Sequence, residues 1–152
     1  MGWIILGILA MLIIAPYARE ATKPRITPAI REVAPGELID LPQGTTHYQW
    51  RGPENGPVLV CIHGLTTPSF VWPPLANAMA ARGFRVLTYD LFGRGYSDRP
   101  KGDHDDEFFI TQLNDLLQSQ GIGDDLTLLG YSMGGSIATA YAARHGDRLR
   151  QV

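Results

Sequence analysis

The sequence is poor in the residues that stabilise disulfide-rich and metal-binding domains. Its 152 residues contain one cysteine, Cys61, which excludes an intramolecular disulfide and a cysteine-rich metal site. Lys and Arg number 13 and Asp and Glu number 15, so the chain lacks the basic excess that nucleic-acid-binding proteins usually show. Glycine and proline follow no fixed repeat. Disulfide scaffolds, zinc fingers, collagen and coiled coils are therefore excluded.

The sequence does contain enough apolar side chain for a packed core. Hydrophobic residues make up 45% and charged residues 18% of the chain, whose length matches one domain of roughly 150 residues. The 17 glycines and 11 prolines are about 18% of the chain, against roughly 12% in average usage. They concentrate at a few turns, and these turns are where we look for functional residues.

An uncharged segment, residues 1–18, opens the chain, and residues 3–15 are apolar apart from Gly7. A membrane-spanning helix needs about 20 residues, with about 17 at the low end. We expect a membrane anchor over residues 1–18, with Trp3 and Tyr17 as interfacial aromatic residues. A cleaved signal peptide is the first alternative, although the basic n-region and the small residues of a cleavage site are missing. A buried helix is the second.

Basic residues follow this segment, and they bear on its orientation. They are Arg19, Lys23, Arg25 and Arg31. By the positive-inside rule, they place the rest of the chain on the cytoplasmic side. Residues 19–35 contain three prolines and little periodicity, so we expect a linker there and a folded domain over residues 36–152.

The remaining residues alternate between strand and helix patterns. Continuous apolar runs between turns predict buried strands at 58–62, 85–91 and 126–130, and a shorter β-prone run lies at 46–50. Helical spacing or composition predicts helices near 72–79, after Asp105, and at 136–144. Strands that alternate with helices of this length indicate an α/β fold with a mainly parallel sheet and flanking helices.

The most informative turn is G-x-S-x-G over residues 130–134, between a predicted strand and a predicted helix. A serine on such a turn has a strained backbone, and its hydroxyl projects from the sheet. We expect that Gly130 and Gly134 are needed because a Cβ there would collide with a neighbouring strand or helix. The helix after Ser132 directs its positive N-terminal end at the site, which favours an oxyanion.

A second turn, His63-Gly64, ends the first buried strand. The pair allows a sharp bend that presents a backbone N–H, which we assign to Leu65, towards the same cleft. With the N–H of Met133 it makes a two-donor oxyanion hole. For His63 itself we favour a histidine that shapes the loop by local hydrogen bonds over a catalytic base.

A third turn spans residues 90–100. Its Gly93 and Gly95 suggest a phosphate-binding loop, but Asp98 stands where the third glycine of G-x-G-x-x-G belongs, and a Walker G-K-[ST] is absent. We therefore expect no nucleotide. Instead we expect a loop whose charged residues, Arg94, Asp98 and Arg99, form ion pairs.

These three turns, in this order and spacing, resemble the α/β-hydrolase fold superfamily in its esterase, lipase and peptidase-like branch. The resemblance covers residues 46–152. It implies that Ser132 is the nucleophile and that the N–H groups of Leu65 and Met133 form the oxyanion hole. The haloalkane dehalogenase and epoxide hydrolase branches have aspartate in place of this serine, so the resemblance implies acyl transfer through an acyl-enzyme.

The rest of a catalytic triad is missing from the chain. In this family the order is Ser, then Asp or Glu, then His. After Ser132 only His145 and Asp147 are available, and they come in the reverse order. His145, 13 residues downstream, would lie about 20 Å along a straight helix. His47 and His104 precede the serine and match no motif, so we expect an N-terminal fragment whose acid and base lie beyond residue 152.

Two functions follow from these patterns. The first is a serine hydrolase of carboxylic esters, with lipid-like esters favoured by the membrane segment and with amide or carbon–carbon bond cleavage left open. The second is a non-catalytic, membrane-anchored binding protein on a hydrolase scaffold. Neither one implies a metal, nucleotide, nucleic acid or organic cofactor.

Overall fold

A computed structural model describes residues 2–21 and 26–152. The helices are α1 (Gly2–Ala21), α2 (Pro28–Glu32), α3 (Pro73–Ala80), α4 (Asp106–Ser119) and α5 (Met133–His145). The strands are β1 (Glu37–Leu41), β2 (Gly44–Arg51), β3 (Val58–Ile62), β4 (Arg85–Tyr89), β5 (Leu126–Gly130) and β6 (Leu149–Gln151). Short 3-10 turns occur at Ser69–Val71 and Gly146–Arg148.

The strands form one sheet in the order β1-β2-β4-β3-β5-β6. Strands β3, β4, β5 and β6 pair in parallel, and β1 and β2 add an antiparallel edge. The predicted α/β fold with a mainly parallel sheet is confirmed. Strand β1 was not predicted, because its residues are mostly exposed and lack a continuous apolar run.

Both faces of the sheet are covered, which explains the apolar runs in its central strands. Because side chains alternate along a strand, Val60 and Ile62 pack in one core cluster with residues of α4 and α5. Leu59 and Cys61 point the other way and pack in a second cluster with α3. A strand between two helical layers therefore needs an apolar residue at every position.

The predicted boundaries differ from the observed ones by a few residues. Strand β4 ends at Tyr89 rather than at residue 91, and α5 begins at Met133 rather than at 136. In both places the chain changes direction at a site turn, where hydrogen bonding and not hydropathy sets the boundary. The prediction for α4 was closer, since Asp105 caps the helix by accepting a 2.9 Å hydrogen bond from the Phe108 N–H.

Helix α1 extends past the predicted limit of residue 18 and exposes its apolar side chains, with Trp3 87% exposed. The segment Gly2–Arg19 is long and apolar enough to cross a membrane, and a signal sequence passes the same test. Met1 and residues 22–25 lie outside the described residues, so the predicted basic positions Lys23 and Arg25 are not part of this description.

The described part of the predicted linker, from residue 26 onward, contacts the domain. It contains the short helix α2, which begins after Thr27. Arg31 forms an ion pair with Asp98 and a 3.4 Å hydrogen bond to the Thr45 hydroxyl. The carbonyl oxygen of Pro35 accepts a hydrogen bond from His47 Nε2. This segment is therefore bonded both to the 90–100 loop and to β2.

Candidate active site

The candidate site lies at the carboxyl ends of β3, β4 and β5, which are neighbours in the sheet. The loop after each strand carries one of the three turns identified in the sequence. Ligands of open α/β sheets bind at this edge because the loops that leave adjacent parallel strands meet there. The sheet order therefore brings together three segments that are up to 70 residues apart.

Ser132 occupies a strained turn between β5 and α5. Its φ of 54° and ψ of −120° lie in a region that residues with a side chain rarely adopt, at a cost of about 1–3 kcal/mol. Hydrogen bonds on both sides hold the turn: the Tyr131 N–H donates to the Ile62 carbonyl at 3.0 Å, and the Gly134 N–H donates to the Tyr131 carbonyl at 2.9 Å. The serine is exposed at the tip.

The glycines beside Ser132 allow close packing of the backbone. A Cβ on Gly134 would lie 2.1 Å from the carbonyl oxygen of Ile62 in β3. A Cβ on Gly130 would lie 2.3 Å from the carbonyl oxygen of Gly134. Both distances are too short for any side chain. The collisions expected from the sequence are therefore present in the structure.

The loop after β3 lies directly against the serine turn. A Cβ on Gly64 would be 3.2 Å from the Cβ of Ser132 and equally close to the Tyr131 ring. His63, fully buried, hydrogen-bonds through Nδ1 to the Gly64 carbonyl at 2.7 Å, and its Nε2 accepts from the Leu91 N–H at 2.9 Å. The ring is therefore neutral with its proton on Nδ1.

Burial lowers the pKa of His63 below its ordinary value, and the positive charge of Arg94 acts in the same direction. Both ring nitrogens of His63 are engaged in fixing the loop. The bond to Gly64 is the local one expected of a loop-shaping histidine, whereas the bond from Leu91 reaches across to the turn after β4.

Two backbone N–H groups have no protein acceptor: that of Met133, next to Ser132 in the chain, and that of Leu65, next to Gly64 in the loop that lies against the serine. Within residues 26–152, neither the Leu65 N–H nor the Met133 N–H donates a hydrogen bond to the protein. Met133 is the first residue of α5, so its N–H also lies at the positive end of the helix dipole. Negative charge that develops next to Ser132 is therefore favoured by this end of the helix.

The third turn is organised by a buried carboxylate, that of Asp90. Its Oδ1 accepts from the Ser69 N–H at 2.8 Å, and its Oδ2 accepts from the Tyr96 N–H at 2.9 Å. Gly95 has a φ of 50°, and a Cβ there would lie 2.0 Å from Asp90 Oδ2. Gly95 thus makes room for the Asp90 carboxylate.

His47 completes this buried network from β2. Its Nδ1 lies 2.8 Å from Asp90 Oδ2, and its Nε2 faces the Pro35 carbonyl. Both partners only accept hydrogen bonds, so both ring nitrogens carry protons and the ring is an imidazolium. Burial lowers the pKa of His47, but the hydrogen bonds to Asp90 and Pro35 outweigh this effect and raise it above its ordinary value.

The same interactions act on Asp90. Burial raises its pKa, but hydrogen bonds from His47, Tyr96 and Ser69 outweigh burial and lower the pKa to about 2. No role was predicted for either His47 or Asp90. One sequence signal could have indicated them: a histidine stands in a β-prone run, and an aspartate directly follows a buried apolar run.

The predicted charges of the third turn have different partners. Asp98 forms an ion pair, as expected for this loop, and its partner is Arg31. Arg94 instead donates from Nε to the Leu65 carbonyl at 2.5 Å and from Nη1 to the Gly93 carbonyl at 3.1 Å. A groove of about 790 Å³ runs between this turn and the Leu65 loop, with Arg94 and His104 among its lining residues.

No histidine or carboxylate of residues 26–152 hydrogen-bonds to the Ser132 hydroxyl. His145 Nε2 lies 3.4 Å from the Asn114 amide nitrogen, and its ring packs on Tyr141. His104 stacks on Phe108. In the described part of the chain, no group of three or more His, Cys, Asp or Glu side chains could hold a metal ion.

Two characterised enzymes are similar in sequence to this chain. The haloalkane dehalogenase of Mycobacterium marinum is 31% identical over 115 residues, which are 74% of this chain and 38% of that protein. Lipase 1 of Psychrobacter immobilis is 33% identical over 106 residues, or 69% of this chain and 33% of that protein. The chain thus spans between a third and two fifths of these relatives.

The solved structures that resemble this chain include the enol-lactonase from Burkholderia xenovorans LB400, with a TM-score of 0.67 and 32% sequence identity. The match covers 74% of this chain and 44% of the lactonase. A sequence model of the alpha/beta hydrolase fold matches residues 57–152, which include all three site turns. The chain therefore belongs to the α/β-hydrolase fold family.

Proposed function

We propose that this chain carries the nucleophile and the oxyanion hole of a serine hydrolase that cleaves carboxylic esters through an acyl-enzyme on Ser132. The observation that carries the proposal is the exposed Ser132 at a φ of 54°, with an unused N–H donor on its neighbour Met133 and another on Leu65, in the loop that lies against the serine turn. A strained, exposed serine at this edge of the sheet is suited to nucleophilic attack rather than to packing.

The reaction has two halves. Ser132 Oγ attacks the ester carbonyl, and the carbonyl oxygen becomes an oxyanion that accepts from the Leu65 and Met133 N–H groups. The alcohol leaves, and water then releases the acid from Ser132. Removal of one such donor typically lowers the rate by about 100- to 1,000-fold, so the orientation of both N–H groups matters.

The proton acceptor for Ser132 is not among the histidines of the chain as they are arranged here. We therefore assign the activity to a protein that contains this chain together with further residues that supply a histidine and a carboxylate. The longer relatives carry the names of different enzymes, among them a haloalkane dehalogenase and a lipase. Ser132 supports acyl transfer rather than dehalogenation, because we expect an aspartate at this position in the dehalogenase branch.

The domain organisation follows the same proposal. Residues 1–18 form a membrane anchor, residues 19–35 a connecting segment, and residues 36–152 the first part of the hydrolase domain. The apolar exposure of α1 supports the anchor, and the basic residues after it support a cytoplasmic location. An enzyme held at a bilayer has direct access to lipid-like esters, which we propose as its substrates. A signal peptide remains the alternative for residues 1–18.

An activated fluorophosphonate probe tests the nucleophile. In a protein that contains this chain, we expect covalent labelling that Ser132→Ala abolishes. Ser136→Ala is the matched control, because Ser136 is also exposed and lies one helical turn further along α5. Labelling that persists in Ser132→Ala would remove Ser132 from the role of nucleophile.

A non-catalytic binding protein is the second candidate. The lack of a hydrogen bond from a base to the Ser132 hydroxyl in residues 26–152 favours it. It predicts no labelling of any protein that contains this chain, whatever residues follow position 152.

A further inference from the structure

Arg94 joins two loops of the candidate site. It lies between Gly93 and Gly95, whose φ angles of 78° and 50° turn the chain sharply on both sides. Its Nε donates to the Leu65 carbonyl at 2.5 Å, and its Nη1 donates to the Gly93 carbonyl at 3.1 Å. One guanidinium therefore connects the turn after β4 to the loop after β3.

The bond to Leu65 matters because of the geometry of the peptide group. In a trans peptide the C=O and the N–H point in opposite directions. His63 Nδ1 holds the Gly64 carbonyl, so the Leu65 N–H, which belongs to the same peptide, points away from the His63 ring. This bond fixes the peptide before the Leu65 Cα.

Arg94 fixes the peptide after the same Cα, because it holds the Leu65 carbonyl itself. With both neighbouring carbonyls bonded, the backbone at Leu65 cannot rotate without the loss of a hydrogen bond. Leu65 itself is exposed. The direction of its N–H thus depends on two side chains that do not themselves reach Ser132.

We propose that Arg94 is a positioning residue, which holds the Leu65 N–H in the direction needed to bind the oxyanion. The inference rests on the function proposed for Ser132 and Leu65. Arg94 touches no reacting atom, and its effect passes through the Leu65 carbonyl. A displacement of about 1 Å at a reacting group can lower a rate by about 100-fold, so even a small rotation of the Leu65 peptide is costly for catalysis.

A near-isosteric pair of substitutions isolates the hydrogen bond. Glutamine in place of Arg94 keeps an N–H donor at the position of Nε, and methionine places a methyl group there. Both remove the charge, so it cannot explain a difference between Arg94→Gln and Arg94→Met. Arg82→Met is the control for loss of an arginine, since Arg82 is exposed, lies just after α3, and its side chain donates to the Ala78 carbonyl of that helix.

The measurement is ester hydrolysis and fluorophosphonate labelling in a protein that contains this chain. We expect Arg94→Met to lower kcat by about 10- to 100-fold relative to Arg94→Gln, with KM unchanged, because only transition-state binding is affected. The Leu65 amide signal in a ¹⁵N–¹H spectrum should shift in Arg94→Met and stay near its original place in Arg94→Gln. Arg82→Met should match the unsubstituted protein in both respects.

Each outcome has a separate meaning. Equal kcat values for Arg94→Met and Arg94→Gln would overturn the positioning role, and so would a rise in KM without a fall in kcat. If the unsubstituted protein is not labelled at Ser132, the proposed function fails. The Leu65 amide shifts still report whether Arg94 orients the loop in that case, and unshifted amides in Arg94→Met would refute the orientation as well.

Discussion

Gly134 and Ile62 approach so closely that a Cβ on Gly134 would lie 2.1 Å from the Ile62 carbonyl oxygen. This approach links the first turn of α5 to the end of β3. The Tyr131 N–H donates to the same Ile62 carbonyl, so this contact also fixes the position of the Ser132 turn relative to the sheet. Two glycines in succession, Gly134 and Gly135, stand in this helix turn, but they face different surroundings.

The difference predicts opposite effects of alanine at the two positions. Gly134→Ala forces β3 and α5 apart, and overpacking of this kind costs about 1–3 kcal/mol. A Cβ on Gly135 would meet nothing closer than 3.6 Å, and alanine is better than glycine in a helix by about 1 kcal/mol. We expect urea unfolding to show a loss of stability for Gly134→Ala and no loss for Gly135→Ala. Equal effects would contradict the close approach.

The buried pair of His47 and Asp90 predicts how stability depends on pH. The pKa of His47 is higher in the folded chain than its ordinary value of 6.5. The stability from this group is therefore complete below about pH 6.5 and is lost as the pH rises through the raised folded pKa. Asp90 has the opposite sign: its contribution is present above its ordinary pKa of 3.8 and is lost as the pH falls towards about 2.

The measurement is the free energy of unfolding in urea at a series of pH values. We expect a plateau between about pH 4 and 6.5, with a decline on each side from these two groups. In His47→Gln the decline above pH 6.5 should be absent, because glutamine does not titrate. A slope that is unchanged in His47→Gln would assign the effect to another group.

The sequence predicted the parts of the site that are local in the chain. Ser132 and its glycines stand within five residues, and His63-Gly64 directly ends a strand, so hydropathy and turn residues were sufficient to find them. The parallel sheet followed from the same apolar runs, since Leu59 and Val60 must face two different helical layers.

The interactions that join distant segments were not predicted. His47 and Asp90 are 43 residues apart, and Arg94 is 29 residues from Leu65. Such pairs depend on the strand order, in which β2 lies beside β4 and β4 beside β3. The strand patterns do not specify that order, and a single histidine or arginine in a local pattern carries no information about its partner.

The strength of the buried pair can be measured by removing one charge. Asp90→Asn leaves the His47 imidazolium without its counter-ion, and loss of one partner of a buried pair typically costs about 3–5 kcal/mol. Asp98→Asn is the matched control, because Asp98 also pairs with a cation and binds a backbone N–H but is 41% exposed. Pairs at such exposure contribute about 0–1 kcal/mol.

Urea unfolding at pH 6 of the two variants checks this expectation. We expect a large loss of stability for Asp90→Asn and a small one for Asp98→Asn. Comparable losses would mean that Asp90 acts as one hydrogen-bond acceptor among several rather than as the counter-ion of His47.

The N-terminal helix makes a prediction that is independent of the hydrolase site. If residues 1–18 are an anchor, the chain should stay in the membrane pellet after carbonate extraction, and deletion of these residues should release it.

Met11→Lys places a charge near the centre of α1, where a lysine costs about 2.5–3.5 kcal/mol on insertion, so we expect weakened membrane association. Met11→Leu is the control and should remain in the pellet, because leucine keeps the apolar surface of this exposed position. A soluble chain with an intact N-terminus would refute the anchor, and a soluble chain that lacks residues 1–18 by mass would identify a cleaved signal peptide instead.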